Sequence, residues 1–346
     1  MRLTLHVAFR LIPGRSPVVA SPFQTFGHSN RGTELLRHFQ SPRFTSSAPQ
    51  KLKSRPAYQK MATAFTLPDG RALSYSFSSN PSNGPVVLLA NSLVSGYTSW
   101  DRVVERLVSD GFRPLRFDQP GHGKSGVPSD LSSTRFSSMA DDVAALLKHL
   151  NLSKIHAWIG VSMGAAMSVY FIARHPSIVN KVIICDTISA SPVNAGVPDA
   201  FGDRVALARK EGSLESIRQA TLERWFGKEW LAANPQEAAR MNESMKSTTV
   251  DGFETCCAAL RSAEFDLEPL LGKVGAGCED ALLVVGEKDA DLPVKMQDMR
   301  AKIAKGFADA RKEREVELKV IKNAGHVCFV DGFDQFCETV IPFLQK

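Results

Sequence analysis

Three side chains in this 346-residue sequence have the types, chain order and flanking residues of an acyl-transfer site. Ser162 stands in Gly160-Val161-Ser162-Met163-Gly164, after the apolar run Ala157-Trp158-Ile159 and before the small residues Ala165, Ala166 and Ser168. That fits the G-x-S-x-G elbow, in which a strand turns sharply into a helix with serine at the apex. A serine hydroxyl is a poor nucleophile until a base takes its proton, and the base needs a third group to fix its tautomer. On such a frame the order is Ser, then Asp or Glu, then His, each just beyond a strand. Asp289, in Gly286-Glu287-Lys288-Asp289 after the run ALLVV, is the favoured acid, with Asp291 and Asp186 as substitutes. His326, after KVIKNA and Gly325, is the favoured base. Each has a bland alternative: a small turn residue, a surface acid, a packed histidine. Three such residues in the required order are far more specific than the elbow alone.

A tetrahedral oxyanion needs backbone donors aimed at it. The start of the helix after Ser162 offers the Met163 N–H, and the loop after the strand Val86–Ala90 offers the Leu93 N–H. Asn91 and Ser92 are the polar side chains beside that loop and are candidates for substrate binding. His122, in the tight turn Pro120-Gly121-His122-Gly123, is expected to hold the turn by hydrogen bonds, and His149 and His175 need no function.

The elements that must position these residues alternate. Phe65 to Tyr75 reads as a hairpin turning on Asp69-Gly70. Val86 to Ala90 (VVLLA) is an unbroken apolar run, as a strand buried on both faces requires. Trp100, Val103, Val104, Leu107 and Val108 recur at helical spacing, followed by a strand over 114–117. A second amphipathic helix carries Met139, Val143, Leu146, Leu147 and Leu150, and the elbow strand follows it. The strand over 182–185 comes next. This is the pattern of an α/β, mostly parallel, doubly wound sheet. From 190 to 277 the alternation stops and the composition turns helical, which reads as a lid inserted between two strands. The sheet resumes over 281–285 and 316–321, with helices over 296–310 and 332–343. The core is therefore expected over 61–189 and 278–346.

Residues 1–60 hold ten Lys/Arg and one acid, Glu34, whereas the remaining 286 residues hold 32 basic and 35 acidic side chains. The net charge of +6 thus belongs to the leader. The near-neutral remainder gives no reason to expect nucleic acid or a membrane surface as a partner. The leader has the composition of a mitochondrial transit peptide, and it reads equally as an inert extension or as sequence upstream of a true start at Met61. Six scattered cysteines without C-x-x-C spacing indicate reduced thiols and an intracellular protein, cytoplasmic or mitochondrial. No metal-ligand spacing is present, and Gly121-His122-Gly123 lacks the third glycine of a dinucleotide fingerprint, so neither metal nor cofactor is expected. Nothing in the sequence indicates an oligomeric state.

With these residues assembled, residues 61–346 resemble the α/β-hydrolase superfamily through DQPGHGKS, GVSMG, GEKD and NAGH. Within it they resemble 3-oxoadipate enol-lactonases. That narrower likeness rests on Asn91-Ser92-Leu93 with Trp100-Asp101, on Arg224-Trp225-Phe226, and on Gly252-Phe253 leading into Cys256-Cys257-Ala258-Ala259-Leu260-Arg261. Val94 stands where that family commonly has Gly, and Gln119-Pro120 where an Arg often precedes the turn. The resemblance implies an α/β-hydrolase fold with a helical lid. It also implies hydrolysis of a small carboxylate-bearing enol-lactone in aromatic catabolism, with Trp225 as a wall of the pocket. Rival expectations on the same frame are a broader carboxylesterase or tailoring hydrolase, and a ligand receptor without useful turnover.

Overall fold

The computed structural model describes residues 63–346, so the expectations for the leader lie outside the described residues. Eight strands form one sheet in the order β1-β2-β4-β3-β5-β6-β7-β8. The first two, β1 (Thr63–Thr66) and β2 (Ala72–Phe77), are antiparallel to each other, and β2 runs antiparallel to β4. The other pairings, among β3 (Val86–Ala90), β4 (Arg113–Phe117), β5 (Ile155–Val161), β6 (Val179–Cys185), β7 (Asp280–Gly286) and β8 (Glu317–Ile321), are parallel. All five residues of β3 are buried, as its uninterrupted apolar run requires.

Between β3 and β4 runs α1 (Asp101–Ser109), which buries Val103, Val104 and Leu107. The next crossover, α2 (Phe136–His149), buries Met139, Val143, Leu146 and Leu147, and α3 (Met163–Arg174) follows β5. After β3 the chain moves outward to β4 and then returns to place β5 on the other side of β3. Crevices at such reversals, at the carboxyl ends of the strands, are where open α/β sheets bind ligands. Both the Leu93 loop and the Ser162 turn open there.

Seven helices separate β6 from β7: α4 (Pro192–Ala195), α5 (Ala200–Glu211), α6 (Glu215–Phe226), α7 (Lys228–Ala233), α8 (Pro235–Lys246), α9 (Val250–Arg261) and α10 (Glu268–Gly277). The expected insertion extends to 277, but its last helix packs differently from the others. A Cβ on Gly275 of α10 would lie 2.1 Å from the Phe307 backbone nitrogen in α11 (Leu292–Asp309), and one on Gly277 would lie 2.5 Å from Ile172 of α3. α10 thus joins the helices flanking the sheet instead of the group over the strand ends. After β8 come α12 (Cys328–Asp331) and α13 (Phe333–Gln345).

Helix α9 is seated on the turn after β4. A Cβ on Gly121 would meet the Gly252 Cα at 2.2 Å, so only glycine at both positions permits the approach. Cys256 and Cys257 of the same helix are buried and free, as are the other four cysteines.

Candidate active site

Strand β5 ends at Ser162, whose backbone sits at φ 54°, ψ −117°. A non-glycine residue there is strained by about 1–3 kcal/mol and persists only where its surroundings over-determine it. Here they do. The Ser162 N–H donates to the Cys185 carbonyl at 2.8 Å, and the Ser162 carbonyl accepts from the Ala165 and Ala166 N–H groups at 3.0 Å. It also accepts from the Thr187 hydroxyl at 2.9 Å. The flanking glycines leave no room for anything larger: a Cβ on Gly160 would lie 2.4 Å from the Gly164 carbonyl oxygen, and one on Gly164 would lie 2.4 Å from that of Ala90.

Beyond β7 the chain turns through Gly286 to Asp289, and beyond β8 it turns through Gly325 to His326. His326 Nδ1 donates to Asp289 Oδ2 at 2.7 Å, and both residues are buried. With Nδ1 holding the proton, Nε2 carries the lone pair a general base needs. Burial is the largest influence on the imidazole and lowers its pKa. The Asp289 hydrogen bond and charge oppose that, and the positive charges of Arg224 and Arg204 add to it. The net direction is downward, which keeps His326 neutral at physiological pH.

Of the substitute acids, Asp291 is exposed and paired with Lys295. Asp186 is fully buried behind the pair, with Oδ1 accepting from the Gly286 N–H at 2.7 Å. Burial, then repulsion from Asp289, pushes its carboxyl well above the ordinary range. Neither bonds His326.

Ser162, Asp289 and His326 line one cavity of about 550 Å³, together with Ser92, Leu93, Met163 and Trp225. That size is ordinary for a small-molecule site. The Met163 N–H is the first of α3 and has no intrahelical partner. Among the described residues neither it nor the Leu93 N–H makes a hydrogen bond, which leaves both open to an incoming oxyanion. Trp225 packs against His326 with ring centroids 5.6 Å apart.

Asn91 departs from expectation. It is fully buried and absent from the cavity lining. Its side-chain nitrogen donates to the Phe117 carbonyl at 3.0 Å, and its backbone carbonyl accepts from Gly164 N–H and from Gln119 Nε2. These bonds tie β3, β4 and α3 together, so its work is structural and Ser92 alone of that pair faces the cavity. Sequence reasoning passed over two cavity residues, Arg204 of α5 and, as an individual residue, Arg224 of α6. The sequence signal for them is weak: neither has an acid three or four positions away along its helix, but nor does Arg209, which pairs with Asp251 and Glu254 of another helix.

A sequence description of the α/β-hydrolase fold matches residues 85–333. A 3-oxoadipate enol-lactonase of Acinetobacter baylyi is 27% identical over 209 residues, covering 59% of this chain and 74% of the relative. A putative carbamate hydrolase of Agrobacterium fabrum is 26% identical over 265 residues, covering 75% and 93%. Among solved structures, the enol-lactonase of Burkholderia xenovorans superposes with a TM-score of 0.70 at 25% identity, covering 82% of this chain and all of that one. A thermophilic esterase of Thermogutta terrifontis, solved with malate bound, gives 0.68 at 25% identity, covering 83% and 98%. With a match spanning most of its length and an eight-stranded, mostly parallel sheet, this chain belongs to the α/β-hydrolase family.

Proposed function

We propose that this hydrolase opens a small carboxylate-bearing enol-lactone through a serine acyl-enzyme. The observation that carries the reading is the buried His326–Asp289 hydrogen bond of 2.7 Å in a cavity shared with the strained Ser162 and two unengaged backbone donors. The Ser162 hydroxyl attacks the lactone carbonyl while His326 Nε2 takes its proton and Asp289 stabilises the imidazolium. The Leu93 and Met163 N–H groups donate to the developing oxyanion. Collapse breaks the ring C–O bond and expels an enolate, which takes the proton held by His326 and becomes a ketone. Because an enolate leaves easily, acid assistance matters less than in amide cleavage. Water then attacks the acyl-enzyme with His326 as base, releasing the keto acid and free Ser162.

The lactone is favoured by the names of the relatives that share the fold. A broader carboxylesterase is the second reading, favoured by the cavity itself: about 550 Å³, with Ile188, Phe201, Ile217 and Leu260 in its lining, is more apolar space than a small lactone fills. An enol-lactone and a short-chain aryl ester should be offered to the enzyme and to Ser162→Ala. The expected result is lactone opening that falls by about 10⁶-fold in the variant. Near-normal rates in Ser162→Ala would end the serine mechanism. Serine-dependent ester cleavage with an untouched lactone would move the substrate to the second reading. Saturable lactone binding without turnover would favour a receptor.

A further inference from the structure

Six arginines lie on α5 to α9, and four of them have carboxylate partners: Arg209 with Asp251 and Glu254, Arg218 with Glu215, Arg240 with Glu237, and Arg261 with Asp199. The other two, Arg204 and Arg224, have none among the described residues, and they are the two that line the cavity. Arg204 Nη2 donates to the Thr221 hydroxyl at 2.7 Å, and its guanidinium lies 5.6 Å from the Phe253 ring centroid. Thr221 and Arg224 are three residues apart on α6 and so share a face. The Arg204 charge acts on Arg224 through space, so the two guanidiniums are neighbours across the cavity. Arg224 makes no hydrogen bond or ion pair among the described residues, and Asp289, the nearest candidate counter-charge, is committed to His326. Arg224 is exposed and Arg204 half-buried where they line the cavity, yet the protein packed around them lowers the pKa of each.

Two unpaired guanidiniums lining one cavity repel each other, and the protein packed around them penalises the charge of each. Their retention next to a reactive serine makes sense if an anion completes the site during turnover. A guanidinium fork matches a carboxylate bidentately. We propose that Arg204 and Arg224, with Thr221 fixing the first, form a carboxylate-binding subsite that selects substrates bearing an acid group. The proposal rests on the hydrolase reading above and names the chain's own residues that impose its substrate class.

The test compares a carboxylate-bearing lactone or ester with its neutral methyl-ester analogue, in the wild type, Arg204→Gln and Arg224→Gln. The readout is the ratio of kcat/KM for the acid over the neutral substrate. Each variant is expected to lower that ratio about 10- to 100-fold, the worth of a charge-assisted hydrogen bond. An unchanged ratio, whether or not both rates fall together, would overturn the proposal and make the arginines structural. A separate measurement distinguishes failure of the hydrolase reading. Calorimetric titration of Ser162→Ala with butyrate, and with butyramide as control, needs no turnover. Butyrate binding lost in the double variants Ser162→Ala/Arg204→Gln and Ser162→Ala/Arg224→Gln would sustain the subsite even if neither ester nor lactone is hydrolysed. No preference for butyrate over butyramide would overturn it.

Discussion

The Val94 backbone N–H donates to Nε2 of His122 at 3.0 Å, and this contact joins the turn after β4 to the loop that carries Leu93. Since Nε2 accepts, the ring proton is on Nδ1, which donates to the Pro120 carbonyl at 3.0 Å. Full burial pushes the imidazole pKa down to about 4, so His122 is a neutral connector and not a proton carrier. On the other side, the Val94 carbonyl accepts from the Thr248 hydroxyl at 2.6 Å, just before α9. Val94 is therefore held between the sheet and the insertion at φ 75°, a conformation that β-branched residues avoid.

Replacing His122 by Ala leaves a buried N–H unsatisfied, at a cost of about 1–3 kcal/mol. It also frees the loop that aims the Leu93 N–H. We expect kcat to fall about 10²-fold, as when an oxyanion donor is lost, with KM less affected. Steady-state kinetics beside a thermal melt would check this; a stability loss without a kcat loss would remove the loop from the oxyanion site.

Val94 itself permits an inverted ordering. At an ordinary position Gly is less stable than Ala by about 0.5–1 kcal/mol. At φ 75° Ala keeps the strain, about 1–3 kcal/mol, whereas Gly does not. Val94→Gly should therefore melt at or above Val94→Ala. The reverse order would mean that the loop relaxes out of the left-handed region.

Two buried aspartates near His326 are predicted to respond differently to the same change. Asp289→Asn removes the acceptor that fixes the imidazole tautomer, and kcat should fall roughly 10⁴-fold. Burial, then repulsion from Asp289, pushes the Asp186 pKa well above the ordinary carboxylate range and so favours its neutral form, which Asn resembles; Asn can also still accept from the Gly286 N–H. Asp186→Asn should stay within about tenfold in kcat, well short of a triad acid's loss. Equal losses would reassign the acid.

The strand-end placement of Ser162, Asp289 and His326 was legible in the sequence because each stands just past an apolar strand, and a parallel sheet brings such ends to one edge. The difference between Asn91 and Ser92 was not. Two adjacent polar residues after β3 look alike until the loop direction is known, and only the carbonyl and amide partners at Phe117, Gln119 and Gly164 show that Asn91 turns inward. The role of α10 was equally hidden, since helical composition does not say which layer a helix joins. Arg204 and Arg224 carry their meaning in what they lack, a carboxylate partner in three dimensions.

The pH dependence follows from His326. A base must be unprotonated, so kcat/KM should rise with pH through a limb set by the imidazole of the free enzyme. Burial first, then Arg224 and Arg204, lowers that pKa, placing the limb below the ordinary histidine value of about 6.5. Removing either positive charge lets the pKa rise, so Arg224→Gln should move the limb to higher pH. A neutral substrate is the right probe, since its binding does not titrate. A limb that stays in place or moves to lower pH would show that Arg224 does not act on the imidazole through space.

Gly325 is predicted to be the least replaceable residue of the base loop. A Cβ there would lie 1.8 Å from the Trp225 carbonyl oxygen, a backbone atom that cannot swing aside. Its N–H donates to Asp331 Oδ2 at 2.7 Å, and its carbonyl lies against Gly286, where a Cβ would come within 2.0 Å. The ends of β7 and β8 and of α6 therefore meet at backbone distance, and this close approach lets Asp289 reach His326. Gly325→Ala must push His326 away from Asp289 or lift the end of α6. A displacement of about 1 Å costs on the order of 10² in rate, so kcat should fall at least that far, with a lower thermal midpoint. Gly126→Ala is the control, since its Cβ would meet nothing closer than 3.5 Å and its backbone is not left-handed. If Gly325→Ala retained wild-type kcat, the His326 loop would have to leave α6 during catalysis, and the Trp225 contact would belong to the resting enzyme alone.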